Sequence, residues 1–454
     1  MPADGARQAT LADAFEARTA DILSACTTCG ACFDICPMTG PAGLTGHDGA
    51  VLAGAEVVAG VRDLLRGGTG TDAARRWASV CSGSGTCIPA CPENVNPRFM
   101  LTLARSAAAR GQTAQERRRK GTVNFKGMTK GVRVLSRLQL PPEDLARFEH
   151  GRDATGPVDV VFYTGCNILK TPHIALLCFD ILEALGVTYQ VMGGPGDCCG
   201  IIQTRVGDID VAGKVAYRTT DRFADARAGR ILSWCPSCQV QLGDNILPGR
   251  KRQAPERFSF DMAPFVVYLV ENLDRLRPLM TEPQHKRVGL HEHPGAAGIS
   301  AAAETLLRSV PGVDFVDLAQ PSVGWMCTGL AVLPAYKRDL HSGLLEAAAT
   351  AGVDTLAGVY HACHRDLCGH ERDWPFEVVN FLEIVGASMG LHREDRFKRL
   401  KLMGDVGAIM ADTADLIRVH GLSLPEVEEV IVRDLLGEQP LPLRGRGADG
   451  TRQS

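Results

Sequence analysis

The 454-residue sequence predicts a multidomain protein of mixed α+β and α/β class. Its N-terminal region is polar and helix-like and contains two dense cysteine clusters. Beyond residue 155, short apolar runs alternate with helical segments, and this pattern occurs twice. We therefore predict a mainly helical, ferredoxin-like domain with a basic linker at 1–150, followed by two tandem, pseudo-twofold-related α/β domains at 155–258 and 259–390. A helical extension and a disordered, Pro- and Gly-rich tail are expected within 391–454.

Composition and charge narrow the classes of function. The formal charge of -3 gives no reason to expect a nucleic-acid partner. The chain starts with a polar, helix-like stretch and has no apolar run long enough to span a bilayer, so we expect a cytoplasmic protein. Its 16 cysteines stand in tight clusters beside Gly and Pro. This distribution indicates metal binding in a reducing compartment and not a framework of disulfides.

The two N-terminal clusters read "CTTCGACFDICP" and "CSGSGTCIPACP". This spacing is the one with which bacterial ferredoxins bind 4Fe-4S clusters, taking three thiolates from one loop and the fourth from the other motif. Zinc is the alternative, but zinc sites usually take their two ligand pairs from separated segments. With the fourth ligands crossed, the first predicted 4Fe-4S set is Cys26, Cys29, Cys32 and Cys91. The second predicted set is Cys36, Cys81 and Cys87.

The second set lacks one thiol, because Ser84 stands where the first motif has Cys29. The Ser84 hydroxyl could complete a 4Fe-4S cluster, water could take the position, or the iron could be absent, which leaves a 3Fe-4S cluster. We favour the 3Fe-4S cluster, since a neutral hydroxyl is a much poorer iron ligand than a thiolate. Loss of the whole second cluster is a further alternative, although the remaining three cysteines keep the correct spacing.

The α/β region presents cysteines after buried strands. The segments "VDVVFYTGC", "VTYQVMGGPGDCCG" and "GRILSWCPSC" each predict a strand followed by cysteine and turn residues, as at the ligand-binding edge of an open α/β sheet. The same order returns in "KRVGLHEHPG", "VDFVDLAQPSVGWMCTG" and "TLAGVYHACHRD" at a nearly constant spacing, which indicates a duplicated unit. In the second copy, Gly295, Thr328 and Asp366 replace thiols, whereas Cys327 and Cys363 remain.

The cysteines of the first copy carry a family resemblance. A lone cysteine, then Cys-Cys-Gly, then Cys-x-x-Cys resembles the cysteine-rich (CCG) domain that occurs twice in heterodisulfide reductase. With its N-terminal motifs, the chain resembles the fused D-type polypeptide of that enzyme over roughly residues 20–390. It is also similar to the iron-sulfur subunits of glycolate oxidase and anaerobic glycerol-3-phosphate dehydrogenase. The resemblance implies a noncubane 4Fe-4S cluster on Cys166, Cys198, Cys199, Cys235 and Cys238.

The second copy departs from this motif, and the family's noncubane cluster is not expected there. Cys327 and Cys363, together with His293, His364 or Asp366, could hold zinc or another iron species. The alternative is that this copy only completes the core and a docking surface. We favour the alternative, because two thiolates fall short of a typical structural zinc set.

The resemblance also implies a function. Neither a GxGxxG fingerprint nor a P-loop accompanies the cysteine motifs, so cofactor-borne hydride chemistry is expected on another subunit. Proteins of this build relay electrons from a flavoprotein dehydrogenase through iron-sulfur clusters to quinone or another carrier. We expect such an electron-transfer subunit, whose partner oxidises a small organic substrate such as a 2-hydroxy acid, glycerol phosphate or a methylated amine. No residue is assigned a catalytic role.

Two other classes of function stay open, as does the role of one basic segment. The first class is a heterodisulfide reductase-like thiol-disulfide reductase that uses the noncubane cluster, and the second is a redox-sensing docking protein. The basic run "ERRRKGTVNFKGMTKGVRVLSRLQL" is compatible with peripheral contact at the inner face of a membrane. It is also typical of a solvated helix or linker, which is the commoner case.

Overall fold

The computed structural model describes residues 9–45, 52–151, 156–226, 228–437, 439 and 441. The chain divides into two compact units. Unit 1 comprises Met1–Lys126, Asp197–Asp225 and Ser237–Asp261. Unit 2 comprises Gly127–Gly196, Ala226–Pro236 and Met262–Ser454. The four domain ranges given above stay predictions, and the predicted tail lies outside the described residues apart from 439 and 441.

Helices and strands are distributed over the whole described chain. In chain order, the α-helices are α1 Leu11–Ala25, α2 Ala31–Asp34, α3 Gly54–Leu65, α4 Asp72–Val80, α5 Pro97–Ala108, α6 Ala114–Arg137, α7 Pro142–Ala146, α8 Pro172–Ala184, α9 Ile201–Arg205, α10 Ile209–Asp225, α11 Pro236–Gln239, α12 Leu247–Gln253, α13 Phe265–Glu271, α14 Leu273–Leu276, α15 Ile299–Ser309, α16 Pro334–Thr350, α17 His361–Leu367, α18 Phe381–Ser388, α19 Arg396–Met403, α20 Val406–Asp412, α21 Ala414–Val419 and α22 Leu424–Val430. The strands are β1 Val160–Tyr163, β2 Tyr189–Met192, β3 Arg230–Ser233, β4 Asp261–Pro264, β5 Lys286–His291, β6 Val313–Val316, β7 Thr355–Gly358 and β8 Glu377–Asn380.

In unit 1, two helices end where the two N-terminal cysteine motifs begin. Thr10 caps α1 with a reciprocal capping box, in which its hydroxyl accepts from the backbone N–H of Asp13. Cys26 is the C-terminal cap of the same helix. Thr71 caps α4 through its hydroxyl, and Cys81 is the C-terminal cap of α4. The two motifs therefore leave their helices in the same way.

The strands form two four-stranded sheets with the orders β2-β1-β3-β4 and β6-β5-β7-β8. β1 pairs in parallel with both β2 and β3, and β5 pairs in parallel with both β6 and β7. All four residues of β1 and all four of β7 are buried, as expected for parallel strands covered on both faces. The six strands predicted from the sequence are confirmed, and the shared strand order supports the predicted duplication.

The helices after residue 390 contribute to the core of unit 2. Phe397 of α19 and Val427 of α22 are fully buried in one apolar cluster with Val134 of α6. Leu356 of β7 belongs to the same cluster and connects these helices to the second sheet. The expected helical extension is therefore packed against its unit.

The basic segment forms the long helix α6. Within unit 2, the Lys130 ammonium lies 2.8 Å from a carboxylate oxygen of Glu429, and Arg133 forms an ion pair with Glu426. Part of the positive charge of this helix is thus balanced by α22. None of the helices in the described ranges combines the length and the apolar character needed to cross a bilayer.

Candidate metal centres

The first predicted thiol set surrounds one small apolar cavity in unit 1. The cavity is lined by Val58, Val95, Pro97 and Met100 and by the four thiol residues Cys26, Cys29, Cys32 and Cys91. Gly30 lies between two of these cysteines in the left-handed region, with φ of 87°. A side chain there would collide with the backbone at Gly54 and Ala55, so close packing of α2 on α3 requires glycine. Four thiols around one apolar space fit the donor set of a 4Fe-4S cluster.

These thiols are electrostatically coupled. Burial, and next the neighbouring thiols Cys26 and Cys91, raise the pKa of Cys32 to about 12. Four thiolates this close together would repel each other strongly without a cation. Binding of a metal cluster would therefore displace protons from the thiols and would depend on pH.

The second predicted set lies in the same unit. Burial, and next the neighbouring Cys81 and Cys36, raise the pKa of the Cys87 thiol. Ser84 is buried, and its hydroxyl oxygen lies 3.3 Å from that of Ser82. Three thiols and a buried hydroxyl therefore belong to one region of unit 1, which is the donor set expected of either a 3Fe-4S cluster or a 4Fe-4S cluster completed by serine.

A buried arginine supports this second set. The Arg98 guanidinium lies 2.8 Å from the Asp244 carboxylate and donates a hydrogen bond of 3.0 Å to the Gly83 carbonyl. Its positive charge lowers the pKa of Cys87 and so opposes the effect of burial. The sequence analysis missed Arg98, because an arginine within "NPRFML" carries no motif and its partner Asp244 lies in a distant segment.

Two thiols of the five-cysteine motif belong to unit 2. Cys166 follows β1, and its sulfur lies 3.3 Å from the Gly194 carbonyl oxygen. Cys235 follows β3, the parallel neighbour of β1. Both cysteines are buried and stand after the carboxyl ends of adjacent strands, as the sequence analysis expected.

The other three thiols of the motif belong to unit 1. Cys199 and Cys238 bring their sulfur atoms to 3.6 Å from each other, and the backbone N–H of Gly200 lies 3.4 Å from the Cys198 sulfur. Gly200 has φ of 79°, and a Cβ there would overlap the Ala212 carbonyl. A hydrogen bond from Cys198, together with burial, raises the pKa of the Cys199 thiol. This thiol therefore stays protonated until a cation binds.

In the second copy, the structure groups two thiols with two imidazoles. The ligand atoms of His291, His293, Cys327 and Cys363 all lie within 4.8 Å of one another. The sequence analysis named the two cysteines and His293 but missed His291, although both histidines stand in "HEH" at the end of the first strand of this copy.

The other predicted partners of this weak site have different neighbours. His364 lies 2.6 Å from the Asp395 carboxylate, in a separate group with His173 and Glu383. Asp366 forms an ion pair of 2.6 Å with Lys337. Asp366 also lies near Cys327, so it adjoins the group of thiols and imidazoles.

The position equivalent to Cys166 is closed in the second copy. A Cβ added to Gly295 would overlap the Cα and Cβ atoms of the buried Trp325. A thiol at this position would need the Trp325 backbone to move. The second copy therefore has no room for the complete five-cysteine motif.

Comparison with known proteins agrees with the geometry of the first copy. Residues 160–243 match the model of the cysteine-rich domain family CCG. The chain contains a CCG domain. The match covers β1 to β3 and all five cysteines of the predicted noncubane set.

Curated relatives carry the same resemblance beyond the CCG domain. The D-type polypeptide of dihydromethanophenazine:CoB–CoM heterodisulfide reductase is 22% identical in Methanosarcina barkeri and 24% identical in Methanosarcina mazei, in both cases over 51% of this chain and 59% of the relative. The B-type polypeptide of the CoM/CoB fumarate reductase of Methanothermobacter marburgensis is 21% identical over 67% of this chain and 60% of the relative. The matches thus span about 60% of the length of these relatives. They confirm the resemblance to heterodisulfide reductase.

Proposed function

We propose that this chain is an iron-sulfur electron-transfer subunit of a multi-subunit oxidoreductase. The observation that supports the proposal most is the apolar cavity lined by four cysteines, in a chain that also contains a CCG domain. The relatives are named as subunits of reductases, which supports a role within a complex. When bound, iron-sulfur clusters would carry single electrons at potentials set by cluster type, charge and hydrogen bonding.

We assign the thiols to three clusters. The first is a 4Fe-4S cluster on Cys26, Cys29, Cys32 and Cys91. The second is a 3Fe-4S cluster, or a 4Fe-4S cluster completed by Ser84, on Cys36, Cys81 and Cys87. The third is a noncubane 4Fe-4S cluster on Cys166, Cys198, Cys199, Cys235 and Cys238. The cysteine spacing carries the first two assignments, and the CCG match carries the third.

The chain's own residues would keep these sites dry and charge-balanced. Val58, Val95 and Met100 line the first cavity and exclude water from its thiols. Arg98 holds a positive charge beside the second set, where it would stabilise thiolates over thiols. A buried cation at this position favours a more reduced or more negative centre, so the second set suits the high-potential end of the protein.

The partner would be a flavoprotein dehydrogenase that oxidises a small organic substrate such as a 2-hydroxy acid, glycerol phosphate or a methylated amine. Quinone or another carrier would accept the electrons. Helix α6 offers basic residues to a peripheral membrane contact, which would bring the protein close to a quinone pool. The pairing of Lys130 and Arg133 with glutamates weakens this contact relative to a fully basic helix.

The second candidate is a thiol-disulfide reductase. It is favoured by the resemblance to heterodisulfide reductase, and it is disfavoured by the second copy, which retains two of the five thiols. A redox-sensing docking protein is the third candidate, but the CCG cysteines are buried and not exposed to oxidants.

One experiment separates these candidates. The full chain is purified without oxygen together with the flavoprotein that co-elutes with it, and electron uptake is followed after addition of that partner's substrate. A relay subunit is reduced within turnover and does not accelerate disulfide reduction by reduced viologen dyes. Rapid disulfide turnover without the flavoprotein would overturn the proposal in favour of a reductase.

A further inference from the structure

Unit 2 contains a buried group of four metal-ligand side chains in the second copy. His291 is the last residue of β5, and His293 follows two positions later. Cys327 begins a short 3-10 helix after β6, and Cys363 lies in α17 after β7. The four residues thus come from the carboxyl ends of three neighbouring parallel strands and the loops that follow them. Cys327 and Cys363 are fully buried, and His293 is 2% exposed.

The distances fit a tetrahedral ion. The Cys327 sulfur lies 3.1 Å from His291 Nε2 and 3.5 Å from His293 Nε2, and all four ligand atoms lie within 4.8 Å of one another. Nitrogen and sulfur ligands on one tetrahedral zinc ion stand about 3.5 Å apart, because the Zn–S bond is about 2.3 Å and the Zn–N bond about 2.0 Å. Little movement would therefore bring the four atoms onto one ion.

The orientation of His293 is held by a hydrogen bond on its far side. His293 Nδ1 lies 2.6 Å from the Val323 carbonyl oxygen. A carbonyl can only accept, so the Nδ1 atom carries the hydrogen and the Nε2 lone pair faces the thiols. Metal-bound histidines typically donate their other N–H in this way, which fixes both tautomer and ring orientation.

The surroundings supply charges suited to a thiolate site. The Lys337 ammonium and the Asp366 carboxylate form a buried ion pair of 2.6 Å beside the group. His341 Nε2 lies 3.3 Å from the Cys327 sulfur, close enough to donate to a thiolate. Two buried thiolates alone would be costly, whereas two thiolates with one divalent cation are neutral.

We propose that His291, His293, Cys327 and Cys363 bind a structural zinc ion. Two thiolates and two imidazoles are a typical complete zinc set, with no coordination position left for substrate. The thiols alone fall short of such a set, and His291, which the sequence analysis did not consider, completes it. Because zinc does not change its oxidation state, the second copy would hold a structural ion where the first carries the CCG motif. The zinc site is independent of the proposed electron-transfer function.

The test measures zinc in the untagged full chain, purified without oxygen and without chelators. We expect one zinc ion per chain by mass spectrometry of the elements, in addition to iron. Zinc-edge X-ray absorption should fit two sulfur atoms at about 2.3 Å and two nitrogen atoms at about 2.0–2.1 Å. Protein free of zinc, iron bound at these ligands, or a zinc shell without sulfur would overturn the proposal.

Variants link the ion to these side chains. We expect Cys363→Ser and His293→Gln to lose zinc by roughly tenfold or more after dialysis, while iron and sulfide contents stay at the wild-type level. The matched control is Cys178→Ser, which changes a fully buried thiol on α8 of the same unit and should keep zinc. Full zinc in Cys363→Ser would overturn the assignment. If a variant does not fold, the sulfur and nitrogen shell of the wild-type zinc decides. Iron and sulfide counts report on the proposed function separately.

Discussion

Replacing Gly295 by alanine tests the conclusion that the second copy is closed to the five-cysteine motif. The added Cβ would lie closer than 3.0 Å to the Cα and Cβ atoms of Trp325 and 3.1 Å from its backbone nitrogen. Carbon atoms pack at about 3.5–4.0 Å, so the backbone near Trp325 would have to move by roughly 1 Å. Trp325 is buried and stands two positions before Cys327, which limits this movement.

The cost follows from what the new atom meets. Overpacking a well-packed interior usually costs about 1–3 kcal/mol. Because the overlapping atoms include backbone and do not belong to the end of a flexible side chain, we expect Gly295→Ala to lose about 3 kcal/mol of unfolding free energy. For a unit of this size the midpoint of thermal unfolding should fall by roughly 6–12 °C.

The assay is urea unfolding of the full chain followed by circular dichroism, with Gly343→Ala as the matched control. Gly343 lies within α16, and its added Cβ would meet only the Gln320 side-chain oxygen at 3.4 Å. Alanine should stabilise this helix by about 0.5–1 kcal/mol. Gly295→Cys should lose at least as much stability as Gly295→Ala and gain no iron. A Gly295→Ala protein within about 0.5 kcal/mol of wild type would refute the steric reasoning.

Three further predictions concern the other sites and the stability of the chain. Arg98→Met leaves the Asp244 carboxylate without its buried cation and should cost about 3 kcal/mol in urea unfolding; a loss below about 1 kcal/mol would contradict the role given to this pair. Ser84→Cys should replace a 3Fe-4S signal in electron paramagnetic resonance by a four-iron signal and add about one iron per chain, and an unchanged spectrum would speak against the assignment. Burial raises the pKa of Asp180, but hydrogen bonds from Arg393 and a second arginine outweigh burial and hold it below its ordinary value. The resulting stability is present above the ordinary carboxyl pKa and is lost as the pH falls, so the advantage of wild type over Asp180→Asn should shrink between roughly pH 5 and pH 2.

Local patterns predicted the strands and the thiol sets because both are written in short stretches of sequence. β1 is a run of four buried apolar residues, and Cys166 follows it after two turn residues. The capping of α1 by Thr10 and of α4 by Thr71 is similarly local. Such features depend on neighbours within a few positions, so periodicity and spacing are sufficient to find them.

Features that depend on distant segments could not be predicted in this way. Arg98 pairs with Asp244 across 146 positions, and no pattern near either residue indicates the other. Lys130 and Glu429 are separated by 299 positions, so the balanced charge of α6 could not be seen in its basic sequence. His291 becomes a candidate ligand only because parallel pairing brings the ends of three strands together. Compact unit 1 likewise joins three separate stretches of chain.

The most direct test of the central claim is the count of iron and acid-labile sulfide in the full chain purified without oxygen, combined with Mössbauer spectroscopy. The account predicts about 11 iron atoms per chain, distributed over two cubane-type centres and one noncubane centre. It also predicts that Cys91→Ser loses the first cubane, whereas Cys178→Ser keeps every signal. Protein that contains neither sulfide nor iron above trace levels, with its N-terminal thiols free or bound to zinc, would contradict the account.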